Sequence, residues 1–267
     1  MTTSTTASTA PAPGHYAERH RRDFFLSFSH SARFEYARRT VAKVAGRKLL
    51  DYGCGDGTFL AAVRDQFPDA VGADIAADQV ADCIERFGPA STIRFTTCEA
   101  LREDGYRRQF DVVCCMEVLE HCPQPVVEDV LDELARLAAP GGVVLISVPV
   151  ETGPTLFAKQ FLRRIAGWRG VPGYQQGERY SVGELWSMLL AGPATQIERP
   201  VYGTRADGGG GYHGHKGFNW KALQQRIAMR LTIERVAFTP WPWLRGCANS
   251  QVWFHCRAAD RNVGSRH

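Results

Sequence analysis

The stretch LLDYGCGDGTFLAAV, residues 49–63, decides the fold class of this chain. A short apolar strand runs into three glycines spaced two residues apart, Gly53, Gly55 and Gly57, and a helical pattern follows them. Glycines allow a positive φ and a close approach of the backbone to a ligand. Open α/β sheets bind ligands at the carboxyl ends of their strands. The stretch therefore predicts a ligand site at the end of the first strand.

Further strand and helix patterns alternate along the chain and are joined by short connections. Strands are predicted at RKLLDYG, AVGADI, IRFTTC, FDVVCCM and VVLISVPV, and two more at TIERVAF and SQVWFHCRA. The fourth strand is apolar throughout, as expected of a strand that is buried on both faces. This alternation predicts an open parallel α/β sheet with helices on both faces.

The same patterns divide the chain into a core, an insertion and flanking segments. The insertion contains two predicted helices, TLFAKQFLRRIAGW and SVGELWSMLLAG, and we expect it to lie over the strand ends as a lid. The segments are a disordered tail at 1–14, an N-terminal helical cap at 15–45, the core at 46–150, the insertion at 151–217, the rest of the core sheet at 218–258 and a tail at 259–267.

The composition argues against several classes of protein. With 267 residues, of which 44% are hydrophobic and 22% charged, the chain resembles a soluble globular protein. A net charge of +4 is too small to imply a nucleic-acid partner. No apolar run reaches the length of about 18 residues that a membrane span needs, and no signal-peptide pattern is found. The eight cysteines include no Cys-x-x-Cys pair, so we expect reduced thiols in a cytoplasmic protein.

The residues around the glycines indicate the kind of ligand. A dinucleotide-binding fingerprint requires a glycine where Thr58 stands, and the chain has no phosphate-binding P-loop pattern. Asp74 lies nineteen residues after Gly55, at the end of the second strand, where an acid can bind the two hydroxyls of a ribose. Asp51 precedes the glycines and is placed to meet a cation. A ligand with a ribose and an amino-acid head group, but without phosphate, fits this arrangement better than NAD.

Five motifs in order resemble those of the class I S-adenosylmethionine-dependent methyltransferases. They are LLDYGCGDG, VGADI, CEAL at residues 98–101, FDVVCCMEVLEHCP and LAAPGGVVLISVP. Together they cover roughly residues 45–150. The resemblance implies a Rossmann-like, seven-stranded, mostly parallel sheet and S-adenosyl-L-methionine as the cofactor.

The resemblance also implies roles for individual residues. Those that face the methionine moiety and the methyl donor are Asp51, Gly53, Gly55, Met116 and Glu117, and Gly57 shapes the turn. Those that face the ribose and the adenine are Asp74, Ile75, Glu99 and Ala100. Glu99 departs from the pattern, because an aspartate is commoner at that place.

The stretch MEVLEHCP, residues 116–123, carries the candidate catalytic residues His121 and Glu117. If residues 117–121 form a helical turn, both share one face with Glu120. Histidine suits a general base because its ordinary pKa lies near neutral pH. The alternatives are a polar brace for the loop and a divalent-metal site. A further metal ligand would come from His213 or His215.

Two resemblances bear on these alternatives. MEVLEH is similar to the ubiquinone-pathway O-methyltransferases, which favours methyl transfer to oxygen. Glu-x-x-Glu-His is also similar to the metal-ligand motif of the small-RNA 3′-terminal 2′-O-methyltransferases. Many small-molecule members of the family carry a similar Leu-Glu-His without a metal, so we predict no metal ion from the sequence.

The first insertion helix carries an aromatic and aliphatic stripe. Phe157, Phe161, Ile165 and Trp168 recur at helical spacing, and the cations of the helix lie largely off this stripe. Such a stripe covers a pocket of its own domain more often than it contacts a membrane surface, although a basic amphipathic helix is capable of the latter.

These interpretations predict a methyltransferase that acts on a small-molecule acceptor in a biosynthetic pathway, most readily at oxygen. The alternatives are N- or C-methylation of a small molecule, 2′-O-methylation of an RNA terminus, and a cofactor-binding module without activity. We expect no nucleic-acid partner and no stable membrane insertion. No motif in the insertion identifies the acceptor, and both a monomer and a homodimer remain open.

Overall fold

The computed structural model describes residues 24–168, 179–203 and 211–258. The predicted tails at 1–14 and 259–267 lie outside these residues. The chain divides into two compact units, Met1–Glu103 and Asp104–His267, which are described in turn. Within the described ranges, the helices are all too short or too polar to cross a membrane.

The first unit contains three parallel strands and their helices. The strand order is β3-β2-β1, with each strand parallel to its neighbour. The elements are α1 (Phe24–Val41), β1 (Leu49–Tyr52), α2 (Thr58–Val63), β2 (Val71–Asp74), α3 (Ala77–Phe87), β3 (Arg94–Thr97) and a 3-10 turn at Ala100–Arg102.

Apolar residues on both sides of β1 account for the position of this strand. All four residues of β1 are buried, and Leu49 and Leu50 are fully so. Helix α2 buries Phe59, Leu60 and Val63, which recur at helical spacing. The glycine turn between β1 and α2 therefore starts from a rigid, buried strand.

The second unit contributes four strands to the main sheet, in the order β4-β5-β9-β8, and also contains a separate pair, β6 and β7. Strands β4 and β5 are parallel, and β9 is antiparallel to both of its neighbours. The elements are a 3-10 turn at Asp104–Tyr106, β4 (Phe110–Met116), a 3-10 turn at Leu119–His121, α4 (Gln124–Leu137), β5 (Ala138–Pro149), α5 (Pro154–Trp168), α6 (Val182–Leu189), β6 (Val201–Tyr202), β7 (Tyr212–His213), α7 (Trp220–Ala228), β8 (Leu231–Thr239), a 3-10 turn at Pro242–Cys247 and β9 (Gln251–Ala258).

The seven strands confirm the predicted fold class, an α/β fold with a mostly parallel seven-stranded sheet and flanking helices. Helix α6 begins with a capping box: the Ser181 hydroxyl accepts a hydrogen bond from the Glu184 amide at 3.2 Å, and the Glu184 carboxylate accepts one from the Ser181 amide at 2.6 Å. The short antiparallel pair of β6 and β7 was not expected from the glycine-rich sequence around it. The eight cysteines are free thiols, as predicted.

Helix α5 is oriented differently from the sequence expectation. Its aromatic residues face solvent: the exposed fractions of Phe157, Phe161 and Trp168 are 40%, 66% and 87%. Its cations Lys159 and Arg163 are turned inward, toward a buried acid. The prediction that the aromatic stripe packs on its own domain is therefore wrong for Phe161 and Trp168, because the cations take the inward side of the helix. The ring of Phe157 does meet another aromatic residue of the same unit, Trp186 of α6, with centroids 6.4 Å apart.

Candidate active site

In the first unit, the glycine turn is held by backbone hydrogen bonds to β2. The amides of Gly53 and Cys54 both donate to the carbonyl oxygen of Ala73, at 2.7 and 3.0 Å. The amide of Gly57 donates to the carbonyl oxygen of Cys54 at 3.0 Å, which closes the turn before α2 begins. All three predicted glycines have a positive φ.

Gly55 and Gly57 differ in the space beside them. At Gly55, where φ is +51°, an added Cβ atom meets no atom within 4 Å. At Gly57, where φ is +71°, it would lie 3.0 Å from the ring of Phe87 and 3.1 Å from that of Phe95. The backbone at Gly57 is therefore packed against the aromatic rings of the core, whereas Gly55 borders open space.

Asp74, the predicted ribose ligand, braces this turn. Its carboxylate accepts one hydrogen bond from the amide of Gly55 and another from the amide of Ala76, both at 3.0 Å. Each carboxylate oxygen has a second lone pair, so these bonds leave room for ribose hydroxyls. The ribose role stays a prediction, and the bracing role is a finding.

Asp51 is a buried carboxylate whose charge is poorly compensated. Only 3% of the residue is exposed, and within the described part of the chain its Oδ1 atom has no hydrogen-bond partner. Burial raises the pKa of Asp51 to about 7; the cation Arg33 opposes this shift, and the acids Asp74 and Asp56 add to it. A buried carboxylate oxygen without a partner fits the ammonium group of an amino-acid ligand, as the predicted cofactor role requires.

The residues predicted to meet adenine lie on the surface of the first unit. Ile75 is 58% exposed although it is large and apolar, Glu99 is exposed and Ala100 is half-buried. The amide of Ala100 donates to the Thr97 hydroxyl at 3.3 Å, which fixes the 3-10 turn that it begins. An exposed isoleucine beside a fixed polar turn fits the edge and face of a purine.

In the second unit, Met116 ends β4 and Glu117 follows it in a strained conformation. Met116 is buried, and Glu117 has a φ of +57°. A side chain other than glycine in this left-handed region carries a free-energy cost, and such residues concentrate at functional sites. The amide of Glu117 donates to the Ser147 carbonyl oxygen of β5 at 3.0 Å, which holds the chain in this conformation.

The turn after β4 corrects one expectation. A 3-10 turn forms over Leu119–His121 only, so Glu117 lies outside it and does not share a helical face with Glu120 and His121. Glu120 is fully buried, whereas the side chain of His121 is 41% exposed. Of the two, His121 is the group that a substrate can reach.

The imidazole of His121 is oriented through one ring nitrogen. Its Nδ1 atom lies 2.9 Å from the carbonyl oxygen of His213, so it donates a proton there. Its Nε2 atom lies 3.8 Å from Oε1 of Glu120. A neutral imidazole has one donor and one acceptor nitrogen, and this arrangement leaves Nε2 as the acceptor, with a buried carboxylate nearby to stabilise the protonated ring.

The two downstream histidines have separate roles. The Nδ1 atom of His213 lies 2.9 Å from the carbonyl oxygen of Pro200, to which it donates, so this side chain serves the β6–β7 pair. The ring of His215 instead meets that of His121, with centroids 5.2 Å apart and an interplanar angle of 71°. Ligand atoms of Glu120, His121 and His215 lie within 4.8 Å of one another, a spacing that could hold a divalent cation.

Three residues, two in the second unit and one in the first, were missed by the sequence reasoning. The guanidinium of Arg199 donates to the carbonyl oxygens of Glu120, Gly214 and Lys216, so it clamps the two loops that carry the histidines. Glu151, which follows β5, is a buried acid with three basic neighbours. Its position just past a strand end was a usable signal. In the first unit, Arg33 is 6% exposed, and its positive charge acts on Asp51.

A cavity of about 240 Å³ lies beside the turn after β4. Leu119, His213 and Phe218 are among its lining residues, so it opens next to the backbone group that orients His121. A larger surface depression of about 650 Å³ runs along β8 and the end of α7. None of the predicted site residues lines that depression, and we assign it no role.

Comparison with known proteins places the chain in a family. A family model described as a methyltransferase domain matches residues 28–188. The ubiquinone biosynthesis O-methyltransferases of Methylococcus capsulatus (strain ATCC 33009 / NCIMB 11132 / Bath) and Paracidovorax citrulli (strain AAC00-1) are 40% and 35% identical to the chain over 107 and 131 residues. These matches cover 39% and 48% of this chain and 44% and 52% of the relatives, so the chain spans about half the length of the curated relatives that it matches.

Solved structures resemble the chain over most of its length. The PH0226 protein of Pyrococcus horikoshii OT3 has a TM-score of 0.57 at 16% identity, over 88% of this chain and 92% of that one. The N-methyltransferase NodS of Bradyrhizobium japonicum WM9, in complex with S-adenosyl-L-homocysteine, has a TM-score of 0.52 at 12% identity, over 91% and 92%. At such identities the likeness shows the fold alone. Because the family model covers more than half of the chain, the chain belongs to the methyltransferase domain family.

Proposed function

We propose that this protein transfers the methyl group of S-adenosylmethionine to an oxygen atom of a small-molecule acceptor, with His121 as the general base. The observation that carries the proposal is the orientation of His121: its Nδ1 atom donates to the His213 carbonyl, so Nε2 is the nitrogen through which the neutral ring would take up a proton. A hydroxyl acceptor must lose a proton during the transfer, and a positioned imidazole is suited to take it.

The residues of the first unit are suited to bind the cofactor, which supplies an electrophilic methyl group when bound. Asp51 would receive the ammonium group, because its buried Oδ1 atom has no partner among the described residues. Gly55 would lie against the ligand, because the space beside it is open. Asp74 would bind the ribose hydroxyls with its remaining lone pairs while it braces the turn.

The residues of the second unit would handle the acceptor. Glu120 would stabilise the protonated ring of His121, from which its Oε1 atom is 3.8 Å away. The cavity of about 240 Å³ beside the turn would take part of the acceptor, with both apolar and polar side chains in its lining. The names of the relatives favour oxygen as the methylated atom and a biosynthetic pathway as the setting.

A divalent cation is a second candidate for the same place. The ligand atoms of Glu120, His121 and His215 converge within 4.8 Å, and the Nδ1 atom of His121 meets a backbone carbonyl, as is usual for a metal-binding histidine. A cation there would assist deprotonation of the acceptor hydroxyl, and His121 would be a ligand instead of the base.

The test of the proposal is a labelled transfer reaction. The full chain is incubated with S-adenosylmethionine carrying a labelled methyl group and with a panel of phenols, catechols, hydroxylated polyketides and sugars. We expect S-adenosylhomocysteine to form and the label to appear on oxygen. A label found only on nitrogen or carbon would overturn the assignment to oxygen. No binding of S-adenosylmethionine by calorimetry would overturn the function as a whole.

Treatment with EDTA separates the base from the cation. With His121 as the base, turnover is expected to survive prolonged EDTA treatment unchanged. Loss of turnover that Mg²⁺, Mn²⁺ or Zn²⁺ restores would show instead that His121 acts as a metal ligand.

A further inference from the structure

Glu151 is an acid buried at the end of β5 that the predicted mechanism does not use. It lies two residues past Pro149, at the edge of the sheet where Glu117 follows the parallel strand β4, and it is 0% exposed. A buried carboxylate persists as an anion only when charged partners compensate it.

The compensation comes from the inward-facing cations of α5. The Nζ atom of Lys159 lies 2.9 Å from Oε1 of Glu151, and a guanidinium nitrogen of Arg163 lies 3.2 Å from the same atom. Burial acts to raise the pKa of Glu151, but Lys159, His215 and Arg163 outweigh it and hold that pKa below its ordinary value. Glu151 is therefore an anion that fastens α5 to the end of β5.

A third basic neighbour comes from a different part of the chain. The buried Nδ1 atom of His215 lies 3.7 Å from Oε1 of Glu151, which is longer than a hydrogen bond, so the carboxylate charge acts on the ring across a short gap. The same imidazole meets the ring of His121 at 5.2 Å. With Nδ1 beside the carboxylate, Nε2 is the nitrogen that His215 can present to Glu120 and His121.

We infer that Glu151 is a positioning residue: it holds the imidazole of His215 against that of His121 and couples this placement to α5. The inference rests on the proposed function in one respect only, namely that His121 takes part in the transfer. An acid that merely anchored α5 would need Lys159 and Arg163 alone. The contact with His215 gives Glu151 an effect on the site itself, because it favours the proton on Nδ1 of that ring.

The first test reads the histidine rings directly and needs no acceptor. The full chain is labelled with ¹⁵N-histidine, and its ring signals are recorded in mildly alkaline buffer. His121→Gln and His215→Gln assign the signals by their disappearance. In the wild type we expect His215 to carry its proton on Nδ1. In Glu151→Gln, which keeps the size but removes the charge, we expect the signals of His215 to shift toward a mixture of the two tautomers.

Glu184→Gln is the matched control. Glu184 pairs at 2.9 Å with Lys216, which directly follows His215 in the chain. The Glu184→Gln variant therefore removes an acid that pairs with the loop carrying His215. Unchanged His215 signals in Glu151→Gln, or an equal shift in Glu184→Gln, would overturn the inference. If Glu151→Gln does not fold, Glu151→Asp is measured instead. It keeps the charge but moves it away from His215 by one methylene, so we again expect the His215 signals to shift toward a mixture of the two tautomers.

The second test measures turnover with an acceptor found in the transfer assay. A displacement of about 1 Å in a catalytic group costs up to about 10²-fold in rate, so we expect Glu151→Gln to lower kcat by about tenfold or more with little change in S-adenosylmethionine affinity. Equal kcat in Glu151→Gln and the wild type would overturn the inference. If the transfer assay itself gives no product, the proposed function fails, while the ring signals still decide the role of Glu151.

Discussion

The Nδ1 atom of His121 donates to the carbonyl oxygen of His213 at 2.9 Å, across 92 residues of sequence. This one bond fixes the orientation of the ring and makes Nε2 the acceptor nitrogen of the neutral imidazole. It also explains why only one of the two downstream histidines meets His121 through its side chain: His213 contributes its backbone and His215 its ring.

Replacing His121 by glutamine is expected to lower turnover by about 10²- to 10⁴-fold, the usual contribution of a general base. S-adenosylmethionine affinity should stay within about twofold, because His121 is not among the residues proposed to bind the cofactor. Turnover and calorimetry are measured on the same preparation. Glu184→Gln is the control, because its carboxylate pairs with Lys216 in the same part of the chain. An equal loss in both variants would contradict the assignment.

The affinity for S-adenosylmethionine is expected to depend on pH through Asp51. The folded protein raises the pKa of this carboxyl from 3.8 to about 7, so below pH 7 a proton competes with the ammonium group of the ligand. Affinity should fall about tenfold for each unit below that value, and the α-amino group of the ligand stays charged throughout because its pKa is about 7.7–8.0. Calorimetry across this window measures the effect.

The same raised pKa has a consequence for stability without ligand. Between pH 3.8 and about 7, the folded state binds a proton at Asp51 that the unfolded state has lost. The contribution of Asp51 to the free energy of unfolding therefore decreases as the pH rises through this range.

The control for the affinity prediction is Asp51→Asn, which removes the titration and should bind S-adenosylmethionine more weakly, with an affinity that does not depend on pH in this window. A wild-type profile that is equally flat would show that Asp51 does not meet the ammonium group.

Gly55→Ala and Gly57→Ala are expected to differ in their effects. Both force alanine into a positive φ, at a cost of about 1–2 kcal/mol. Gly57→Ala adds a clash with Phe87 and Phe95 and should lower the melting temperature more. Gly55→Ala places its methyl group in open space where the ligand is proposed to lie, so it should lose more cofactor affinity than stability. Thermal denaturation and calorimetry of both variants decide between these outcomes.

Two substitutions in α5 test which side of the helix faces inward. Phe161 is 66% exposed, so Phe161→Ser should change the free energy of unfolding by no more than about 0.5 kcal/mol. Leu156 is fully buried, so Leu156→Ala should cost about 2–5 kcal/mol. Denaturant unfolding measures both. A large loss in Phe161→Ser would show that the aromatic stripe packs against the protein after all.

Much of the fold was predictable because its signals are local. Strand β1 and the glycine turn are read from adjacent residues, and the structure gives all three glycines the positive φ that the pattern required. The capping box of α6 is equally local, since Ser181 and Glu184 are three residues apart. The helical face predicted for Glu117 failed because the turn is a 3-10 turn that starts only at Leu119.

The sequence by itself determined the order of strands and helices, the glycine turn and the candidate groups Asp51, Asp74 and His121, because periodicity, glycine spacing and strand ends are properties of neighbouring residues. The tertiary structure alone decided which groups meet. It brought His215 to His121 and Glu151, gave Asp51 its raised pKa, and turned the aromatic residues of α5 outward. Each of these depends on burial and on charges brought together from distant positions, and the free energy of a buried charge is set by its surroundings in the fold.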